Sequence, residues 1–431
     1  MEKGHDKMDW MRDLYIGDTG TMVQYMQLAL QRAGYDAAVN GEFTRRTCNA
    51  LGAFLGGGTG CYVDASVWEK LIPYLKGYTT HVIARGDTLW NIAEQYHSSL
   101  SAIVTANPML EASNLQEGTR IYVPYAFSLV SEEVPYTAEY TNLIVEGLSV
   151  RYPFLITGSI GKSVMGYELN YIRIGRGNTQ VCYNASFHAN EWITTPVLLK
   201  FAEEYAEAYA QNEDLYGEDS FELFETYSLY LIPMVNPDGV NLVNGMVHDA
   251  NYLEQARRIS ADYPLIPYPD GWKANINGVD LNLQFPAGWE NARRIKAEQG
   301  YTSPAPRDYV GTAPLSQPES KAMYDFTNAN NFKLILAYHT QGEVIYWKYL
   351  DYEPENSRRI AEYFGRVSGY LVEETPYASG YAGYKDWFIM QYNLPGYTIE
   401  AGVGTNPLAM SQFANIYQDN KLILLGGMTQ V

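Results

Sequence analysis

Apolar runs of strand length at residues 167–174, 180–184, 230–235 and 334–338 alternate with helical stretches, the longest from about 195 to 210. No other feature constrains the fold of this chain as strongly. Strands and helices taking turns predict an α/β domain over residues 133–431, with a mixed, mostly buried sheet flanked by helices, because each helix covers an apolar face of the strands it connects. In such sheets the functional groups gather where strands end. Three polar residues sit at such ends: His188 follows the run at 180–184, His339 follows the run at 334–338, and Glu400 closes the apolar stretch Tyr397-Thr398-Ile399.

His188-Ala189-Asn190-Glu191 is the most specific of these positions. Two side chains three apart in a tight turn or first helical turn lie on one side of the backbone and can grip one cation. With His339 they form a set of two imidazoles and one carboxylate. That set suits one Zn²⁺ ion and leaves the fourth tetrahedral position open, as hydrolysis requires. Glu400 stands at the end of an apolar run, where a solvated carboxylate is unexpected.

Composition excludes several classes of partner. The chain of 431 residues is long enough for two or three domains, and 30 basic against 49 acidic residues, a net charge of -19, disfavour nucleic acid and anionic membrane surfaces. No run reaches the roughly 18 apolar residues of a membrane span. The N-terminal MEKGHDKMDWMRD is polar where a signal peptide would be apolar. Cys48, Cys61 and Cys182 are too few for a disulfide framework and lack CxxC spacing. Cys48 and Cys61 could pair within one small module, but buried free thiols are the expected state.

Before the large domain, residues 13–76 predict a small three-helix bundle. Val23, Met26, Leu28 and Leu30 recur at near-helical spacing after the turn Ile16-Gly17-Asp18-Thr19-Gly20, a second helix fits 47–54, and Asp64 caps a third ending near Leu75. Residues 80–125 predict the order strand, helix, helix, strand. His81 to Arg85 suit a strand, Gly86-Asp87 turn it, Asp87 or Thr88 caps a helix, 101–106 suit another, and Pro124 ends the returning strand. Trp90 is expected in the core of this module.

The motifs GDTLWNIA, Asn107-Pro108 and Ile-x-Val-Pro closely resemble a LysM domain. That resemblance implies binding to N-acetylglucosamine-containing glycan, with the sugar against Gly86, Asp87 and Thr88 and against Asn107 and Pro108. The pattern G-x-x-G-x-x-V-x-x-x-Q-x-x-L with Asn40-Gly41-Glu42-Phe43 resembles the helical peptidoglycan-binding module of wall hydrolases. In the large domain, HxxE, Asn236-Pro237-Asp238-Gly239, Trp272-Lys273-Ala274-Asn275, Gly278-Val279-Asp280-Leu281-Asn282, a strand ending in His339 and another ending in Glu400 resemble, in that order, the zinc carboxypeptidase family. The resemblance implies that His188, Glu191 and His339 ligate zinc, that Asp280 supports His188 from behind, and that Glu400 is the general base and then the acid. Asn282 and Lys273 fall at substrate-binding positions, Lys385 near the position that sets side-chain preference, and Tyr377 is a candidate for the tyrosine that covers the substrate.

Two departures bear on substrate choice. The family's exopeptidases follow the equivalent of Asn282 with an arginine that clamps a terminal carboxylate, and here Leu283 stands there. Lys273 replaces a second arginine that steadies the oxyanion, keeping the charge without the planar fork. HANEW, WKAN, GVDLNLQFPAGWE and HTQGEVIYW are most similar to the bacterial γ-D-glutamyl-meso-diaminopimelate peptidases. Membership of that branch implies cleavage of peptidoglycan stem peptides by an enzyme held to wall glycan, and some members act during sporulation without an export signal, in the sporangial cytoplasm or spore. The competing expectations are a carboxypeptidase acting on ordinary C-termini and a wall-binding protein with a decayed active site.

Overall fold

The structure, a computed structural model, describes residues 10–58 and 61–431, and the chain separates into two units. One comprises residues up to Pro135 with Asn142–Leu155; the other comprises Tyr136–Thr141 with Ile156–Val431. Residues 1–9 of the polar N-terminus, where no export signal is read, lie outside the described residues. No helix among the described residues is long and apolar enough to cross a membrane.

In the first unit, helices Thr21–Arg32, Arg45–Phe54 and Ala65–Lys76 occupy the three stretches expected to be helical. Gln27, buried on the first of them, explains why a glutamine stands in that motif. Its carbonyl oxygen accepts from Asn40 N at 3.0 Å and Gly41 N at 2.8 Å, and its amide donates to Glu42 O at 2.9 Å, so one side chain shapes the turn. Gly41 takes φ 75°, a left-handed conformation that suits glycine. Cys48 and Cys61, expected as free thiols, instead form a disulfide with Cα atoms 4.7 Å apart. Gly56, Gly57 and Gly58 all have positive φ and reverse the chain after the second helix, bringing the two cysteines within bridging distance. The third cysteine, Cys182, is a buried free thiol, as expected.

The strand expected at 81–85 begins earlier, as Tyr78–Val82, and pairs antiparallel with Arg120–Pro124; helices Leu89–Tyr96 and Leu100–Ala106 lie between them in sequence. Thr88, not Asp87, caps the first helix through a capping box with Asn91. Trp90 is a correction: it is 61% exposed. On this helix Leu89, Ile92 and Ala93, spaced i, i+3 and i+4, face Ile83, Ile103, Ile121 and Val123. Trp90 falls about 100° round from Leu89 and so off that face.

The second unit is built on eight strands, numbered along the chain β1 Ile156–Lys162, β2 Glu168–Ile174, β3 Thr179–Ala185, β4 Tyr227–Ile232, β5 Phe332–His339, β6 Val344–Tyr346, β7 Leu371–Glu373 and β8 Gly396–Glu400. Their order across the sheet is β7-β6-β8-β5-β3-β4-β2-β1. The central four, β8, β5, β3 and β4, are mutually parallel, and antiparallel partners flank them. The central strands are apolar on both faces because helices cover both. Cys182 and Ile335 face Trp387 and Phe388 of helix Tyr384–Tyr392, while Tyr183 points the other way and donates its hydroxyl to Leu424 O of helix Phe413–Thr429 at 2.8 Å. Strand β1 carries little apolar alternation and is not legible in the sequence.

Behind the carboxyl ends of these strands, Asp238 lies fully buried, accepting from Ser163 Oγ at 2.6 Å and Met165 N at 2.9 Å. Burial pushes its carboxyl up to about 6. A carboxyl whose folded value is raised holds its proton more tightly when folded, so its contribution to stability is full below the unfolded value near 4 and is lost as pH rises through about 6. Asp238→Asn is therefore expected to stabilise this unit by about 3 kcal/mol at pH 8 and by about 1 kcal/mol at pH 4.5. Urea unfolding of both proteins at the two pH values checks it, and equal differences at both would contradict the assignment.

Candidate metal centre and active site

Strand β3 carries the chain to Ala185, and the turn after it is locked from below: Ser186 N donates to Thr194 Oγ1 at 3.1 Å, and Thr194 Oγ1 donates to Glu191 O at 2.7 Å. His188 then caps a single 3₁₀ turn, Ala189–Glu191. Residues i and i+3 eclipse in such a turn, which is why His188 and Glu191 face the same point. His339 arrives as the last residue of β5. The parallel register pairs it with Glu400 at the end of β8, so pairing of the two strands alone sets these two residues side by side.

The three expected ligands converge. His188 Nδ1 lies 3.0 Å from Glu191 Oε1, His339 Nδ1 lies 2.9 Å from Glu191 Oε2, and the two Nδ1 atoms are 3.1 Å apart. Donor atoms around a tetrahedral zinc are about 3.3 Å from one another, so the set fits one ion with little adjustment. Glu191 is fully buried, where an isolated carboxylate would be costly and a cation makes its burial tolerable.

Each imidazole is held from its far side. Asp280 Oδ1 sits 3.1 Å from His188 Nε2, which directs Nδ1 inward, and its carboxylate also accepts from Asn282 N at 3.1 Å and Asp308 N at 3.2 Å. Burial would raise the Asp280 carboxyl, but His188, Lys273 and Lys296 override it and hold it well below the usual carboxylate range. Asn282 Nδ2 reaches His339 Nε2 at 3.4 Å while its Oδ1 accepts from Tyr384 N at 3.0 Å. Lys273 Nζ lies 2.8 Å from Glu191 Oε1. Burial pushes the Glu400 carboxyl up, partly opposed by His339 and reinforced by Glu191.

His188, Lys273, Asp280, Asn282, His339 and Glu400 all line one cleft, as does Lys385. Leu283 is 8% exposed and packs against Trp289, Val310 and Ala382. Lys385 is buried on helix Tyr384–Tyr392: its Nζ donates to Lys348 O at 2.8 Å and Thr375 Oγ1 at 3.0 Å and pairs with Asp386 Oδ1 at 2.6 Å. Tyr377 is 65% exposed, accepts from Arg294 Nη2 at 3.4 Å, and lines a neighbouring hollow with Tyr349 and Tyr381.

In the other unit, Gly86 (φ 92°) has open space where a Cβ would stand, and Asp87 accepts from Ala84 N at 2.7 Å and lies 2.8 Å from His81 Nε2. Asn107 spends its side chain on its own fold, donating to Ile103 O and Tyr122 O and accepting from Tyr122 N at 2.9 Å; Pro108, next to it, is exposed. Thr88 caps its helix.

Sequence reading missed Arg307, Asp308 and Lys296, which also line the catalytic cleft. Arg307 and Asp308 lie on a loop and Lys296 near a helix end, with no spacing or motif that would single them out.

Comparison with known proteins gives a consistent picture. The zinc carboxypeptidase family model matches residues 143–422, and the LysM domain model matches residues 81–124. The chain is 48% identical over 287 residues to gamma-D-glutamyl-L-diamino acid endopeptidase 1 of Lysinibacillus sphaericus, covering 66% of this chain and 70% of that protein. It is 43% identical over 276 residues to the uncharacterized protein YqgT of Bacillus subtilis (strain 168), covering 63% and 72%. Among solved structures, carboxypeptidase A from Helicoverpa armigera aligns with a TM-score of 0.52 at 20% identity, over 70% of this chain and 74% of that one, a likeness of fold.

Proposed function

The chain belongs to the zinc carboxypeptidase family and carries a LysM domain, and from that premise we propose that it cuts peptidoglycan stem peptides at the γ-D-glutamyl–diaminopimelate bond. The observation that carries this reading is the buried Leu283 beside an otherwise assembled active site. A cleft with catalytic groups in place but no arginine for a terminal carboxylate suits an endopeptidase, and the 48% identical relative bears the name of one that acts on γ-D-glutamyl-L-diamino acid peptides.

His188, Glu191 and His339 would hold one zinc ion per chain. Bound there, zinc supplies Lewis-acid polarisation of the attacking water and the scissile carbonyl. Glu400 receives the water's proton at its carboxylate and returns it to the leaving diaminopimelate amine. Burial keeps that carboxyl basic enough for the first transfer. Lys273 places its ammonium where charge develops on the carbonyl oxygen, and Asp280 and Asn282 keep the two imidazoles from rotating. Residues 80–125, with the helices of residues 13–76, hold the enzyme on wall glycan and raise the local concentration of stem peptides for the domain at 133–431.

Mass spectrometry of muropeptides digested with and without chelator tests the whole reading. The expected products are fragments ending in γ-D-glutamate and free diaminopimelyl peptides, lost when chelator is present. Release of single C-terminal residues from free-acid but not amidated peptides would instead establish an ordinary carboxypeptidase.

A further inference from the structure

Four cations line the catalytic cleft: Lys273, Lys296, Arg307 and Lys385. Three are largely enclosed, with side chains 18%, 9% and 4% exposed for Lys273, Lys296 and Lys385, and each pairs with a carboxylate of the protein. Lys273 pairs with Glu191 at 2.8 Å, Lys296 pairs with Asp308 Oδ1 at 2.5 Å, and Lys385 meets Lys348 O, Thr375 Oγ1 and Asp386, one partner for each of its three donors. Arg307 differs. Its Nε donates to Asp308 Oδ2 at 2.6 Å, its side chain is 42% exposed, and its two terminal nitrogens meet no hydrogen-bond acceptor among the described residues.

The position of this guanidinium is fixed by the same residues that fix the metal ligands. Pro306 O accepts from Lys273 N at 2.8 Å and Ala274 N at 2.9 Å, and Tyr309 O accepts from Asp280 N at 2.8 Å. Asp308 N donates to Asp280 Oδ2 at 3.2 Å, and the Asp308 carboxylate bridges Lys296 and Arg307. Asp308 has φ 66°, a left-handed conformation uncommon for a non-glycine residue and costly unless its surroundings enforce it. The loop is thus stitched on both sides of Arg307 to Lys273 and Asp280. Its free edge is held against the cleft without using an acceptor of the protein.

We propose that Arg307 is the carboxylate-binding residue of this active site, taking a free substrate carboxylate beside the scissile amide on the planar fork that Leu283 cannot supply. The inference rests on the proposed γ-glutamyl reading. A γ-linked glutamyl residue leaves its own α-carboxylate free near the cut bond, and the diaminopimelyl residue carries carboxylates on the other side. An ordinary internal peptide bond has neither. Such a substrate brings negative charge to a protein of net charge -19, and a guanidinium receives a carboxylate through two parallel hydrogen bonds.

Three peptides separate the sources of that carboxylate: L-Ala-γ-D-Glu-diaminopimelate, its analogue with the glutamyl α-carboxylate amidated, and its analogue with the diaminopimelyl carboxylates amidated. Wild type, Arg307→Gln and Arg307→Lys are assayed on each. On the unmodified peptide Arg307→Gln is expected to lose about 10–100-fold in kcat/KM, mostly through KM, with partial recovery in Arg307→Lys. One amidated analogue should impose the same loss on wild type and leave Arg307→Gln nearly unaffected, which identifies the carboxylate bound. A loss in Arg307→Gln that is equal on all three peptides, or no loss on any, overturns the inference. A wild type that cleaves none of them overturns the proposed function itself, and this inference with it.

Discussion

Glu400→Gln is expected to lower kcat by about 10³–10⁴-fold while the purified protein retains its zinc. The carboxamide is nearly the same size, so strand β8 and its register with β5 should survive, and Glu400 makes none of the close contacts that tie His188, Glu191 and His339 together. What changes is proton chemistry. Glutamine can neither take a proton from the attacking water nor deliver one to the leaving amine, so both halves of the reaction lose their carrier. The expected pattern is a collapse of kcat with a much smaller change in KM, because the carboxylate acts in the transition state rather than in holding the substrate. Steady-state kinetics alongside metal analysis checks this. Turnover within tenfold of wild type would remove Glu400 from the base role; loss of zinc together with turnover would make it part of the metal site instead.

The zinc site was readable in advance because its geometry is local or set by strand register. His188 and Glu191 are three apart in one turn, and His339 and Glu400 each end a strand of a parallel pair, so spacing and apolar runs mark the positions while the ordered motifs shared with the zinc carboxypeptidase family assign their roles. What periodicity could not give is which of several neighbouring residues turns inward. Trp90 sits one residue from Leu89, and a shift of one position along a helix decides between core and solvent. Cys48 and Cys61 depend on three consecutive glycines reversing the chain, which sequence spacing does not reveal. Lys385 reads equally well as a surface charge or a pocket charge until its three partners are seen. Arg307 comes from a loop whose path is dictated by hydrogen bonds to Lys273 and Asp280, and nothing in its own neighbourhood marks it.

Glu191 offers the second large effect, because two roles meet on one buried carboxylate. It faces both histidines, and it neutralises Lys273 at 2.8 Å. Glu191→Gln is expected to purify with less than about a tenth of a zinc equivalent and with activity at background, since two imidazoles alone hold the ion weakly. It should also unfold more readily. Removing one partner of a buried ion pair leaves the other charge uncompensated, at a cost of about 3–5 kcal/mol when fully enclosed. Lys273 opens onto the cleft, with its side chain 18% exposed, so water softens the penalty to about 2 kcal/mol. Adding Lys273→Met separates the two roles: the double variant should regain most of the lost stability yet remain empty of metal and inactive. Thermal unfolding and elemental analysis of the three proteins decide the matter. A Glu191→Gln protein that keeps a full equivalent of zinc would exclude Glu191 as a ligand. A double variant no more stable than the single one would show that the Lys273 pair contributes nothing to the fold.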